Sequence, residues 1–169
     1  MDPNWDLTLF DLETLTKRSA AVVVGDASEG VGKLTDDGKV VITQYSMLVT
    51  KPVKGNFRSG DTLQVAMLGG KVEFPDGTTA EIQTPGFEKM SKGKKYLLFL
   101  TLQKDSPVLI LTGGPQGLFE IAGKQITAFG QPTDTVSKQV SKKNSDDLLR
   151  EIEEYAAKWP NPEGCCKQP

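Results

Sequence analysis

Residues 37–53 read DGKVVITQYSMLVTKPV, and this stretch decides the fold of the chain. It opens with Asp37-Gly38, a strong signal for a two-residue hairpin turn. The strand after the turn runs from about 40 to 53 and is the longest that the sequence predicts. Alternating apolar residues indicate that one of its faces lies in a core. The residues on that face are Val41, Tyr45, Met47 and Val49.

The length of this strand and its second face carry further predictions. So long a strand is expected to bend and to serve two halves of a closed sheet. Pro52 has no N–H to donate, so it predicts an edge, a bulge or the end of the strand. The second face is polar at Gln44, Ser46 and Thr50, but Ile42 and Leu48 lie among these residues.

Other strands are predicted on both sides of the long one. Residues 20–25, AAVVVG, are apolar on both faces, which is typical of an inner strand. Residues 95–103 contain YLLFL and are predicted to be central for the same reason. Asp76-Gly77 predicts a second hairpin turn. The remaining strands are predicted at 62–68, 71–74, 79–83, 108–111, 118–121 and 125–128. Turns every 8–15 residues favour an antiparallel barrel or sandwich over a parallel α/β fold.

Two helices are predicted outside the strands. Residues 7–18 form a short amphipathic helix in which Thr8 is the cap, Asp11 lies three residues later, and the apolar face holds Leu9, Leu12 and Leu15. Residues 145–159 form a second helix, capped by Asn144 or Ser145 and stopped by Pro160. Its apolar stripe is expected to pack on the barrel or sandwich, and a partner-binding helix is the alternative.

Length and charge bound the domain organisation and the partners. The 169 residues predict one domain at 1–130, a polar linker (131–143) and helix at 131–160, and a disordered tail at 161–169. A net charge of −2 argues against binding to nucleic acid or to anionic lipid. Apolar runs are too short to span a bilayer. We expect a monomer or a weak oligomer.

The residue types present exclude several kinds of catalysis. The chain has no histidine, which excludes Ser-His-Asp and Cys-His catalysis and zinc sites with histidine ligands. Three acidic pairs remain, and each has a local structural role in a turn or a helix. They are Asp36-Asp37, Asp146-Asp147 and Glu153-Glu154. We therefore predict that the protein is not an enzyme and has no catalytic residues, cofactor or metal.

Three short motifs are candidate sites. Residues 25–33, GDASEGVGK, end in Gly-Lys but carry Ala27 and Leu34 where a phosphate loop needs glycine and a hydroxyl residue. We interpret them as a flexible loop between two strands. The basic cluster at 89–95 has no interleaved aromatic residues and is interpreted as a solvated turn. Cys165 and Cys166 are adjacent near the end of the chain, where we expect two exposed thiols.

A series of short motifs resembles a known fold. In order they are AAVVVG at 20–25, VTKPVKG at 49–55, TLQVAMLGG at 62–70, PGF at 85–87, KGKKYLLFL at 92–100 and QGLF at 116–119. This order, over residues 8–121, resembles a group of uncharacterised bacterial exported domains. More distantly it resembles the netrin-like module of the tissue inhibitors of metalloproteinases. The resemblance implies a mainly β, antiparallel OB-like barrel with a short N-terminal helix and a C-terminal amphipathic helix.

The resemblance does not carry over an inhibitory mechanism. Those inhibitors bind the protease zinc through an N-terminal cysteine, and this N-terminus has none. We expect a non-catalytic binding or protein-interaction domain, exported if a signal peptide was removed and cytoplasmic otherwise. The alternatives are a nucleic-acid-binding OB domain, an inhibitor that acts by another mechanism, and an enzyme built on carboxylates and lysines. The loops at 26–39 and 85–94 are the candidate binding surfaces.

Overall fold

A computed structural model describes residues 11–82, 89–103, 106–129 and 134–159. In chain order these residues form β1 (Ala21–Ala27), β2 (Val31–Leu34), β3 (Val41–Lys54), β4 (Thr62–Leu68), β5 (Gly70–Glu73), β6 (Thr79–Ile82), β7 (Lys95–Leu102), β8 (Leu109–Leu111), β9 (Leu118–Ala122) and β10 (Gln125–Ala128). The helices are α1 (Leu12–Arg18), α2 (Thr135–Ser141) and α3 (Ser145–Lys158), and Gly114–Gly117 forms a single 3-10 turn. Thr8, Leu9, Pro160, Cys165, Cys166 and the tail at 161–169 lie outside the described residues.

Five of the strands close a barrel. Their order is β1-β3-β4-β8-β7, and pairing of β1 with β7 completes the circle. The β4–β8 pairing is parallel and the other four are antiparallel. This is the Greek-key strand order of an OB-type barrel. The predicted fold class, a mainly β, OB-like barrel with a helix near each end of the chain, is confirmed.

The long strand β3 serves both halves of the closed sheet, as predicted. Its first residues pair with β2 and its later residues pair with β1, while β4 lies along its other edge. The register of β1 against β3 shifts between Val22 and Val23, where the partners are Lys54 and Pro52. Pro52 therefore flanks a β-bulge, one of the three positions that its missing N–H allows.

The interior of the barrel is filled by the alternating apolar residues of these strands. Tyr45, Met47, Val65, Leu98 and Leu100 each keep at most 2% of their surface exposed. Next to this core, β5 and β6 pair as a separate two-stranded hairpin, with its turn at Asp76-Gly77 as predicted. Strand β9 pairs with β7 and carries β10 at its outer edge.

Helix α1 covers part of the outer face of the barrel. Its N-cap is Asp11, whose side chain accepts a hydrogen bond from the backbone N–H of Thr14 over 2.7 Å. At its other end the buried ammonium of Lys54 donates to the carbonyl oxygens of Thr16 and Lys17, over 2.7 and 3.3 Å. The last carbonyls of a helix have no partner within it, so this lysine ties the end of α1 to β3.

The structure corrects the predicted linker at 131–143. Residues 135–141 form α2 because Val136 and Val140, one helical turn apart, give this polar segment a narrow apolar stripe that is fully buried. Helix α3 begins after Asn144, whose side chain accepts from the backbone N–H of Asp147. Its buried apolar residues are Leu148, Ile152 and Ala156, and the first two pack against residues of the barrel strands, as predicted.

Candidate functional site

A groove of about 640 Å³ crosses the outer face of β3, β4 and β8. The cross-strand neighbours Ile42 and Leu68 form its floor, followed by Ala66 and Ile110, which lie opposite each other in the β4–β8 ladder. One wall is the end of β2 with the turn between β2 and β3, and the other is formed by Gln103, Ser106 and Val108, which lie between β7 and β8. The groove therefore runs across the strands and not along one edge.

The floor faces outward because side chains alternate along a strand. Tyr45 and Val65 lie opposite each other and point into the core, so Gln44 and Ala66, also opposite each other, point out. Ile42, Leu68 and Ile110 are half-buried, although no described helix lies over them. The face is thus apolar at the positions where a solvated sheet would carry polar residues.

The groove opens where the barrel is least paired. The β4–β8 ladder contains two pairs, Val65–Leu109 and Ala66–Ile110. Strand β4 continues to Leu68, past the end of that ladder, so its last residues lie beside the groove and not beside a full partner strand. Leu68, at the end of β4, therefore lines the groove without a β8 neighbour beside it.

A chain of side-chain amides borders the floor. Gln44 donates through Nε2 to Gln64 Oε1 over 2.9 Å, and Gln64 donates through Nε2 to Ser46 Oγ over 2.9 Å. Both amide groups are oriented by these bonds. Gln44 is the member of the chain that lines the groove.

The lining carries little charge. Lys33 in β2 and Asp36 in the turn after it are the charged residues of the described lining, one of each sign, and both lie on the same wall. None of the lining residues is aromatic. Two further apolar side chains are exposed on β2 and β3: Val31, which lies opposite Gln44, is 64% exposed, and Leu48, further along β3, is 46% exposed. An uncharged, aliphatic surface of this kind binds uncharged, aliphatic groups.

The two loops predicted as binding surfaces do not form one site in the structure. The second half of the loop at 26–39 forms β2 and the turn, and it supplies the groove wall. Its first half meets residues 89–92 at one end of the barrel, around a second pocket of about 590 Å³. Lys71, Lys89 and Lys92 line that pocket together with Glu29. Residues 85–88 lie outside the described residues.

The prediction missed the floor of the groove, to which β4 and β8 contribute. A signal for it was present in the sequence. Ile42 and Leu48 interrupt the polar face of β3, and Leu68 and Ile110 occupy the matching face of their own strands. Strand order was needed to see that Ile42 and Leu68 are neighbours and that Ile110 follows them across the sheet.

The glycine-rich stretch at 25–33 packs tightly and is not a flexible loop throughout. A Cβ atom on Gly25 would lie 2.7 Å from the carbonyl oxygen of Leu48, and one on Gly32 would lie 1.8 Å from that of Lys71. On Gly30 it would lie 2.6 Å from the ring of Tyr45. The missing side chains thus allow β1 and β2 to pass close to neighbouring strands. The end of β1 and most of β2 lie within this stretch, and residues 28–30 connect the two strands.

The three acidic pairs have the local roles that were predicted for them. Asp37 accepts hydrogen bonds from the Thr35 hydroxyl and from the backbone N–H of Lys39, and these bonds lower the pKa of its carboxyl group. Asp146 and Asp147 lie in the first turn of α3. Glu153 pairs with Lys51 over 3.0 Å on the surface. Within the described ranges, no three acidic or cysteine side chains are grouped closely enough to hold a metal ion.

Comparison with known proteins does not assign the chain to a family. No protein-family model matches the chain, and no curated protein is similar to it in sequence. The resemblance to netrin-like modules and the expected export therefore stay predictions. In the part of the chain that the structure describes, no helix has the length and apolar character needed to cross a membrane.

Proposed function

We propose that this protein is a non-catalytic binding domain that holds a segment of another protein in the groove across β3, β4 and β8. One observation carries the proposal. The outer face at Ile42, Leu68 and Ile110 is aliphatic, and no helix among the described residues covers it, whereas the helices bury the apolar outer face of β1, β7 and β9. An apolar concave surface with a few oriented polar groups is the usual form of a binding site.

The lining of the groove favours a protein partner over a nucleic acid. Nucleic acids are bound through several cations that neutralise phosphates and through aromatic rings that stack on bases. Among the described lining residues Lys33 is the one cation, and Asp36 on the same wall offsets its charge. Aliphatic floor residues and amide groups match a polypeptide segment, which presents aliphatic side chains and backbone amides together.

Selection from a displayed library of random linear peptides tests the proposal. We expect enriched sequences to bind the wild-type protein and to shift the methyl NMR signals of Ile42, Leu68 and Ile110. The variant Ile42→Asp should weaken binding by roughly ten-fold or more, because it places a charge on an apolar floor. Ile82→Asp is the matched control, since Ile82 is an exposed isoleucine outside the groove.

Three outcomes would contradict the proposal. They are a library that yields no binder, a binder whose signals map away from the groove, and a binder that Ile42→Asp does not weaken. The methyl signals are read on the wild-type protein, so the test holds even if Ile42→Asp fails to fold. Salt-dependent binding of single-stranded oligonucleotides with shifts at the same methyl groups would favour the nucleic-acid alternative instead.

A further inference from the structure

We infer that Gln44 determines which segments the groove accepts, by taking a hydrogen bond from an N–H group of an uncharged, aliphatic peptide segment. This inference rests on the proposed function and names the chemistry of its ligand. It arises from the direction of the amide chain and from the side chains that surround it.

The amide chain leaves one acceptor unused. The Nε2 group of Gln44 is engaged with Gln64, and the Nε2 group of Gln64 is engaged with Ser46. The chain therefore ends at Gln44 Oε1, and none of the described hydrogen bonds reaches that oxygen. Ser46 is itself held in place, because its backbone N–H donates to Ser28 Oγ over 2.8 Å. A carbonyl oxygen oriented in this way accepts a hydrogen bond and cannot donate one.

The surroundings of Gln44 limit the ligand. Its cross-strand neighbour Ala66 is 7% exposed, and Ile42 and Leu68 lie one position further along the same face. A ligand that covers them also removes Gln44 Oε1 from water. That oxygen then needs a donor, because a buried polar group without a partner is costly. A charged group at the same place would lose its hydration with no opposite charge on the floor.

A peptide segment meets both conditions. Each of its residues other than proline carries a backbone N–H, and aliphatic side chains beside that N–H fill the floor without adding charge. Lys33 and Asp36 are the charged side chains among the described lining residues, so we expect charged residues of the segment at that end. The central residues facing Ile42 and Leu68 are expected to be Val, Leu, Ile or Ala.

The test uses the peptide selected from the library, capped at both ends, and a set of its analogues. Each analogue is N-methylated at one internal position, which removes one backbone N–H. We expect one of these positions to weaken binding to the wild-type protein by about ten-fold, the usual effect of one lost hydrogen bond. Gln44→Leu should weaken the unmodified peptide by a similar factor. In Gln44→Leu, methylation at that position should have no further effect.

Gln125→Leu serves as the matched control, because Gln125 is an exposed glutamine on β10, away from the groove. It should leave the affinity and the methylation pattern unchanged. In a second set of analogues, Glu or Lys replaces a central residue of the peptide, and each should bind about ten-fold more weakly or worse.

The inference is overturned if Gln44→Leu binds as well as the wild type, or if the methylation effect is equal in both proteins. Tolerance of central Glu or Lys residues would also overturn it. A reversed amide chain, in which Gln44 donates through Nε2 to a peptide carbonyl, would give the second of these results, an equal methylation effect in both proteins. In all these cases the peptide still binds in the groove and the proposed function stands. A library without groove binders would remove both.

Discussion

The barrel has two outer faces that are built from adjacent strands, and they differ in whether the described helices cover them. On the face formed by β1, β7 and β9, Val22, Leu97 and Phe119 are fully buried beneath α1, α2 and α3. On the face formed by β3, β4 and β8, Ile42, Leu68 and Ile110 are half-buried and line an open groove. The covered face has its partner within the chain. The open face has none among the described residues.

The difference lies in the composition of the strands. Residues 21–24 and 96–100 are apolar at every position, so both of their faces must be removed from water. Strand β3 alternates, and its outer face mixes amides and hydroxyls with Ile42 and Leu48. A mixed face is stable without a cover and can exchange water for a ligand. The open face is therefore suited to reversible binding and the covered face to stability.

The largest predicted effect is on the free energy of unfolding, which should depend strongly on the covered face and weakly on the open face. Phe99 is fully buried and meets Phe119 edge-on at a centroid distance of 5.9 Å. Phe99→Ala should lower the free energy of unfolding by about 3–5 kcal/mol, because it leaves a cavity beneath the helices. Leu48→Ala on the open face should change it by only about 0.5 kcal/mol. Urea unfolding followed by circular dichroism measures both. Equal losses would mean that the open face is also part of the core.

Much of this fold was predictable because strand patterns and turn residues are local signals. The hairpin turns at Asp37-Gly38 and Asp76-Gly77 and the central strands at 20–25 and 95–103 follow from short-range rules. Helix α2 was not predictable in the same way. Its two buried valines, Val136 and Val140, are too few to stand out in a polar segment, and their burial depends on β10 and α1.

The candidate groove was harder to predict than the fold. Its walls belong to loops, and one of these, at 26–39, was selected from the sequence. Its floor needs three strands in a defined order, and the parallel neighbour β8 is more than forty residues from β4 along the chain. No local pattern brings Leu68 and Ile110 to one surface. The order of the strands does so, and the sequence predicted the barrel but not that order.

A second prediction concerns how helix α1 is attached to the barrel. Lys54 is 4% exposed, and its ammonium donates to the carbonyl oxygens that end α1. Lys54→Met keeps the apolar stem and removes the charge, so these carbonyls lose a donor. Unfolding free energy should fall by about 2–3 kcal/mol. Lys51→Met, which breaks a surface ion pair with Glu153, should cost about 0.5 kcal/mol. The interpretation fails if the two variants unfold at the same urea concentration.

A third prediction concerns the wall of the open face. Gly32 in β2 lies against the backbone of Lys71 in β5, with no room for a Cβ atom. Gly32→Ala must displace one of these strands and should lower the unfolding free energy by about 1–2 kcal/mol. Lys33→Ala, at the next position and exposed, is the control and should have little effect on stability. If Gly32→Ala is as stable as wild type, β2 does not depend on β5 for its position.

The smallest predicted effect concerns two carboxyl groups, that of Glu13 in α1 on the covered face and that of Asp37 in the turn between β2 and β3 beside the open face. The pKa of Glu13 is lowered mainly by a hydrogen bond from the Lys158 ammonium and then by one from the Trp159 indole. The pKa of Asp37 is lowered mainly by a hydrogen bond from the Thr35 hydroxyl and then by one from the Lys39 backbone N–H. A lowered folded-state pKa stabilises the protein above the ordinary pKa of the group. That contribution is lost as the pH falls through the lowered value.

Salt distinguishes the two causes. High salt screens an exposed ammonium, so the pKa of Glu13 should rise toward its ordinary value when salt is added. The donors to Asp37 are uncharged, so its pKa should move much less, whereas Thr35→Val should raise it at any salt concentration. Carbon-13 NMR titration of the two carboxyl groups measures both pKa values. Equal salt shifts of the two pKa values would show that Glu13 does not pair with the Lys158 ammonium in solution. This ion pair between α1 and α3 would then not help to hold the helices over the covered face.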